Sequence, residues 1–470
     1  MRVGRRLWRF FSSLQMAVVL MLVLVGLALL GTLLVQVPPG VASDPEKYAW
    51  WLNSVVRPSF GVWVEPLAFF QLFDVFRSLL FLLAGVLLIA NIIVCSMNRW
   101  KGLRRTVAGG WIRQADEFYR KGGNQAELAD LAVSAQEALT LFSTALKGRR
   151  YRVRTEYSAE NVYIAADKNW HSRFGTYLIH LSIVLLIIGF LVGNYFGFRN
   201  LSFIVPEGST CEVGYGTYLS LRLESFVDEY WSDGTPKDYR SQVVMYEGGE
   251  EVKRGVIRVN HPMSYDGIRF HQSFFGPAVV MEVWTAEGEM LYHGGVALPM
   301  RLKDGPLQYP LGSFNIPEAG LTIYVVGPAV NASDARVEES QIDLGIYRDN
   351  SADPVAWIRL NQRERYELEG MEFSFLRDGK YSGFQVSRDP GNSLIWVGSG
   401  LFLLGLGMVL CLPHRHVWAL VEPVPDGKSR MLIRPVSTKS PGAASEFQNI
   451  ISELQGRLAC SVKHCGDAEV

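Results

Sequence analysis

Cysteine is scarce and poorly placed for structural use. Five residues in 470, Cys95, Cys211, Cys411, Cys460 and Cys465, lie too far apart for a familiar zinc spacing, and Cys460 and Cys465 flank Lys463-His464 without matching one. Surplus charge is absent too. Lys+Arg and Asp+Glu both number 46, so the chain lacks the basic excess that nucleic acid binding draws on. The long polar middle carries no GxSxG, HExxH, P-loop or dinucleotide fingerprint, and the shorter polar stretch before residue 170 has no kinase or nucleotide motif. These absences remove free-standing hydrolases, nucleotide enzymes and disulfide scaffolds from consideration.

What the sequence has is apolar length. Four blocks, about Leu14–Val35, Phe76–Met97, Phe174–Phe196 and Leu394–Leu412, are long enough to cross a bilayer. The first has a basic start at Arg2, Arg5, Arg6 and Arg9, but its run exceeds a signal-peptide core and Gly31-Thr32-Leu33 is a poor cleavage site, so it reads as a retained anchor. Those arginines and the group Arg99, Lys101, Arg104 and Arg105 after the second block put both ends on the cytoplasmic side. The expected order is then an N-terminal segment with the first helix (1–36), an aromatic outer loop (37–74), the second helix (75–97), a small α/β cytoplasmic domain (98–171), the third helix (172–196), an extracytoplasmic domain (197–392), the fourth helix (393–413) and a cytoplasmic tail (414–470). With only Cys211 outside, no disulfide staples the outer domain.

The fold class that follows is a polytopic α-helical membrane protein with four transmembrane helices and a large β-rich, antiparallel, sandwich-like extracytoplasmic domain. Short alternating runs such as Leu219–Phe226, Ser241–Tyr246, Ile268–Phe274, Val279–Trp284, Leu321–Val326 and Met371–Leu376 supply the strands, separated by Asp233-Gly234, Gly248-Gly249 and Asp266-Gly267 turns. In the inner domain, Leu128–Leu146 has helical spacing and two short strands follow it. The loop aromatics Trp50, Trp51, Phe60, Trp63, Phe69, Phe70 and Phe73 suit an interfacial belt.

Within the third block stands His180, a titratable ring where apolar surroundings penalise it unless it meets a partner or ligand. At 100° per residue, Arg173, Thr176, Val184, Ile187 and Leu191 share its face, while Gly189 and Gly193 form a close-packing face roughly opposite. Two readings stay open at this point. Imidazole, aliphatics and a cation suit haem, with His180 as axial ligand and Arg173 on a propionate. Equally, His180 can hydrogen-bond a neighbouring helix while Arg173 reaches the headgroups. His261, His271 and His293 have no carboxylate spacing that makes a metal set.

Several stretches together resemble the ResB family of system II cytochrome c maturation, also called CcsB: FFSSLQMAVVLMLVLVGLALLGTLLVQ, DVFRSLLFLLAGVLLIANIIVCSMNR, WHSRFGTYLIHLSIVLLIIGFLVG, VNHPMSYDGIRFHQSFFG and DPGNSLIWVGSGLFLLGLGMVLCLPHRHVW, in that order. The resemblance covers about residues 10–420. It implies a subunit of a membrane haem lyase that moves haem b outward, with a ResC/CcsA-type partner, and presents it to the CxxCH motif of apocytochrome c. His180 matches the family's intramembrane ligand, so the metal it would hold is haem iron. His271 stands where relatives often have tyrosine. A thioredoxin-like thiol reductant is a possible further partner, and the location implied is the inner membrane of a bacterium. The alternative functions are a non-catalytic scaffold that holds apocytochrome c for a partner synthase, and a membrane sensor.

Overall fold

The computed structural model describes Trp8 and residues 10–38, 40–42, 44–120, 125–158, 161–304, 306–329, 336–338, 340–348, 351, 353–425, 427–435, 442–458 and 461–465. Arg2, Arg5, Arg6, Arg9 and Cys460 of the sequence reading lie outside them. The chain divides into two compact units, one made of the long helices and the sheet joined to them, the other of residues 192–390 with 38–49.

In the first unit the four apolar blocks form α1 (Leu14–Leu33), α2 (Leu79–Val107), α4 (Gly175–Phe196) and α5 (Asn392–Cys411). A fifth stretch, Pro45–Arg77, is also long and apolar enough to span, so the helix count of four is not unique. Its backbone is broken into α, π and 3-10 pieces. Trp51 and Phe73 are buried there with ring centroids 6.0 Å apart, and Phe60 meets Phe73 at 5.8 Å, whereas Trp50, Trp63, Phe69 and Phe70 are exposed. The loop aromatics therefore split between a small core and an exposed set. Buried Asn91 of α2 donates to the Phe11 carbonyl at 2.8 Å, a polar tie where lipid offers no alternative acceptor.

The same unit holds a six-stranded antiparallel sheet in the order Arg152–Ser158, Asn161–Lys168, Arg415–Val424, Lys428–Pro435, Gln125–Leu131, Ser461–Cys465. Residues 414–470, expected as a tail, thus supply three strands and a helix, two of those strands central. Alternation explains it: Val417, Ala419 and Val421, with Met431 and Ile433, face the core under α3 (Ala135–Gly148) and α6 (Ala443–Leu458), where Phe142, Leu146, Ile450 and Leu454 are buried. The opposite face buries Tyr163, Leu420 and Leu432 against Tyr119.

The second unit is built on antiparallel strands, in three sheets rather than one or two. Two strands of 18 residues, Ile268–Thr285 and Met371–Arg388, run beside each other as its spine. The sequence runs Ile268–Phe274 and Val279–Trp284 divide the first of them at Gly276-Pro277, and Met371–Leu376 stops well short of the end of the second. Bulges at Gln272/Phe274 and Val280/Met281 let the pair bend without ending. One end of the spine packs on the four-stranded sheet through Phe203, Leu221, Val243, Phe270 and Phe384. The other end packs on the five-stranded sheet through Met281, Ile323, Leu344 and Phe373.

Candidate functional site around His180

Helix α4 sorts its residues onto two faces. Along one, Gly175 lies against the Gly405 carbonyl, Gly189 against the Gly391 carbonyl and Leu394, and Ser182 and Leu186 against Gly398, on α5 or at its N-cap. A side chain on Gly175 would stand 2.8 Å from that carbonyl, so glycine is what permits the approach. On the other face Ile187 and Leu191 reach Gly85 of α2, and His180 shares that face about two to three turns away. The glycine face for packing is thus found, and the histidine face is turned to α2.

His180 is half-buried, and its Nδ1 lies 2.9 Å from Ser96 Oγ on α2. Tyr177 borders it with ring centroids 6.4 Å apart and donates its hydroxyl to the Ser96 carbonyl at 3.4 Å; Trp100 meets Tyr177 edge-on. A serine hydroxyl donates or accepts, so both neutral tautomers of the ring are served. When Nδ1–H donates to Ser96, the Nε2 lone pair points away, and among the described residues nothing hydrogen-bonds it. One nitrogen fixed and the other available is the arrangement of a ligating histidine with its orienting partner. The helix-contact reading and the ligand reading are both accommodated by one ring.

Arg173 is elsewhere. It sits in a 3-10 turn, Trp170–Phe174, before α4 begins at Gly175, so the 100° reckoning does not carry back to it. Its Nε and one terminal nitrogen donate to His414 Nδ1 at 3.3 and 3.2 Å. The sequence offers no sign of that partner, since Pro413-His414-Arg415-His416 reads simply as a basic cluster. Yet burial holds both imidazoles neutral. His414 is pushed down to about 4 by burial and then by Arg173, and His416 to about 4 by burial and then by His414, with Asp167 opposing in each case.

A pH dependence follows. In the unfolded chain these rings titrate near 6.5, so between about pH 6.5 and 4 the unfolded state binds protons that the folded state refuses. Folded stability is fully retained above 6.5 and falls as pH drops through that window. Thermal melting of the purified protein from pH 7.5 to 4.5 is expected to show the decline, and His416→Phe to flatten it.

The histidines of the second unit lie at three different places. His261 is in a turn, its Nδ1 3.2 Å from the Val259 carbonyl. His271 is on the spine opposite Gln385, its pKa lowered by burial and by Arg269 and Arg199. His293 pairs with Glu282 at 2.9 Å. Among the described residues no three His, Cys, Asp or Glu side chains form a metal-sized group. His293 borders an open cleft of about 700 Å³ with Cys211, Arg222 and Tyr292, whose phenol burial pushes up to about 12. Cys211 is a free thiol, likewise raised by burial.

Comparison with known proteins agrees with the resemblance seen in the sequence. The chain is 28% identical over 429 residues to the cytochrome c biogenesis protein CcsB of Synechococcus sp. strain RCC307, covering 88% of this chain and 89% of that protein. Identity to CcsB of Synechococcus sp. strain CC9311 is 27% over 465 residues, covering 96% and 98%. CcsB of Thermosynechococcus vestitus is 24% identical over 438 residues, covering 89% and 90%. The pattern that defines the ResB-like family matches residues 14–448, a span that takes in all four long helices, both 18-residue strands and the first two strands after α5, and the chain belongs to that family.

Proposed function

We propose that the protein acts in cytochrome c biogenesis as the ResB-type subunit of a membrane haem lyase, in which His180 ligates the iron of haem b in transit. The observation that carries this reading is the His180 ring, with Nδ1 at 2.9 Å from Ser96 and Nε2 open, followed on the same face by the aliphatic Val184, Ile187 and Leu191. Among the described residues His180 is the one axial ligand offered there; a ResC/CcsA-type partner completes the site. The cargo then passes outward to apocytochrome c, whose two CxxCH thiols each add S–H across a vinyl group, carbon–sulfur bonds forming as the vinyl double bonds are lost. Reduced thiols are a requirement of that addition, and a thioredoxin-like reductant supplies them.

The protein resides in the bacterial inner membrane, the helix-linked sheet in the cytoplasm and the three-sheet unit outside. The long apolar helices and the basic residues Arg99, Lys101, Arg104 and Arg105 at the end of α2 support this placement. The test is co-expression with a CcsA-type partner in cells lacking their own maturation system, followed by joint purification. Haem b absorbance in the purified pair and covalent haem on a CxxCH reporter are expected. A haem-free pair overturns the reading.

A further inference from the structure

The cations at the end of α2 do not all face the same way. Leu79–Val107 is unbroken helix, so positions on it can be reckoned at about 100° per residue. Two contacts fix the direction of α4: Gly85 meets Ile187 and Leu191, and Ser96 meets His180. On that reckoning Gly85 and Ser96 lie within about 20° of each other, so they mark one stripe. Arg99 lies about 60° from Ser96 and ~4.5 Å further along the axis. Lys101 and Arg105 point away, at about 140° and 180°, and Arg104 is ~12 Å beyond Ser96. Of the four, Arg99 is the one beside the His180 site.

The seam between the two helices is covered on one flank and open on the other. Trp100, across Ser96 from Arg99, packs on Tyr177 with ring centroids 5.5 Å apart, whereas Arg99 is exposed. Its charge still reaches the site. Arg99 is the charged group that acts on the His180 ring, and it acts on the Tyr177 phenol as well. Neither α2 nor α4 contains an acidic residue, and among the described residues Arg99 has no hydrogen-bond or ion-pair partner. Arg173, the other cation reckoned near His180 from the sequence, is instead bonded to His414.

A guanidinium one turn from a ligating ring, with no carboxylate on either helix, suits a ligand that brings its own. Haem b does so: two propionates project from one half of the macrocycle and two vinyl groups from the other. We propose that Arg99 pairs with a propionate of the haem that His180 ligates, and so sets the macrocycle with its propionate half toward the basic end of α2 and its vinyl half deeper in the apolar layer. This pairing rests on the ligand role proposed for His180 above. A cation at a helix end can also reach lipid headgroups. Haem esterified at both propionates tells the two roles apart, since it keeps the iron and loses the charge.

The test uses the full chain with its CcsA-type partner, purified from haem-depleted cells and titrated in detergent with ferrous haem b or its dimethyl ester, read at the Soret band. The wild-type pair is expected to bind the ester about tenfold more weakly than haem b, the order of one charge-assisted contact. Arg99→Gln should bind haem b about tenfold more weakly than the wild type and treat ester and haem alike, while Arg99→Lys keeps most of the preference. Arg104→Gln, the matched change away from the site, should behave as the wild type. Equal binding of haem and ester by the wild-type pair overturns the proposal. So does an Arg99→Gln pair that keeps the full preference, or one that loses the Soret band altogether, which is more than one propionate contact supplies. Each of those results leaves His180 as the ligand; a wild-type pair with no Soret band, or an undiminished band in His180→Ala, removes the ligand reading and this pairing with it.

Discussion

Replacing His180 with alanine is expected to strip haem b from the protein purified with its partner and to abolish reporter maturation, without lowering the amount of chain in the membrane. The side chain lies on the α2 face of α4, and its one hydrogen bond among the described residues, to Ser96, is not what holds the helices together; Gly85, Ile187 and Leu191 make the neighbouring contact. Loss of a ligand, unlike loss of a packing residue, is repaired by a small molecule of the same chemistry. Imidazole added to the growing cells should restore maturation to His180→Ala and do nothing for the wild type. Ser96→Ala gives the graded case: it keeps the ligand but removes the group that orients it, and haem affinity should fall about 10- to 100-fold. An undiminished Soret band in His180→Ala would remove the residue from the ligand set, and full maturation by it would favour the scaffold reading over the lyase.

What the sequence made legible and what it hid have physical causes. Apolar length is a local property, so four long helices could be placed to within a few residues, though α2 continues through its basic end to Val107. Helical periodicity is local too, and it correctly separated the glycine face of α4 from the His180 face. It failed at Arg173 because the backbone there is 3-10, where successive residues turn by a different angle. Ser96 was invisible since a serine within an apolar run becomes meaningful only once another helix is set beside it. The strands after α5 were readable and were missed: Pro425-Asp426-Gly427 between two alternating runs is a hairpin signal. The long spine was not readable, because whether a strand ends or bends at Gly276-Pro277 depends on partners far along the chain.

Gly405→Leu is expected to have the second large effect, of a different kind. A Cβ at Gly405 would lie 2.8 Å from the Gly175 carbonyl and 3.0 Å from the Ile179 amide nitrogen, both backbone atoms that no rotamer change can move. The helices must separate, and overpacking of this sort costs about 1–3 kcal/mol or more. In lipid, helix separation is not opposed by an apolar driving force, so close packing is most of what joins α4 to α5. Gly407, two residues on, has nothing within 4 Å of its would-be Cβ, and Gly407→Leu is the matched control. Thermal melting in detergent should show a lowered midpoint for Gly405→Leu alone, with less chain accumulating in the membrane. Equal midpoints for the two variants would mean that the α4–α5 contact is not a stability determinant. The comparison with His180→Ala then separates the two faces of one helix: maturation lost together with the chain on the glycine side, and maturation lost while the chain remains on the histidine side. Imidazole should rescue only the second, because no ligand can replace a backbone approach.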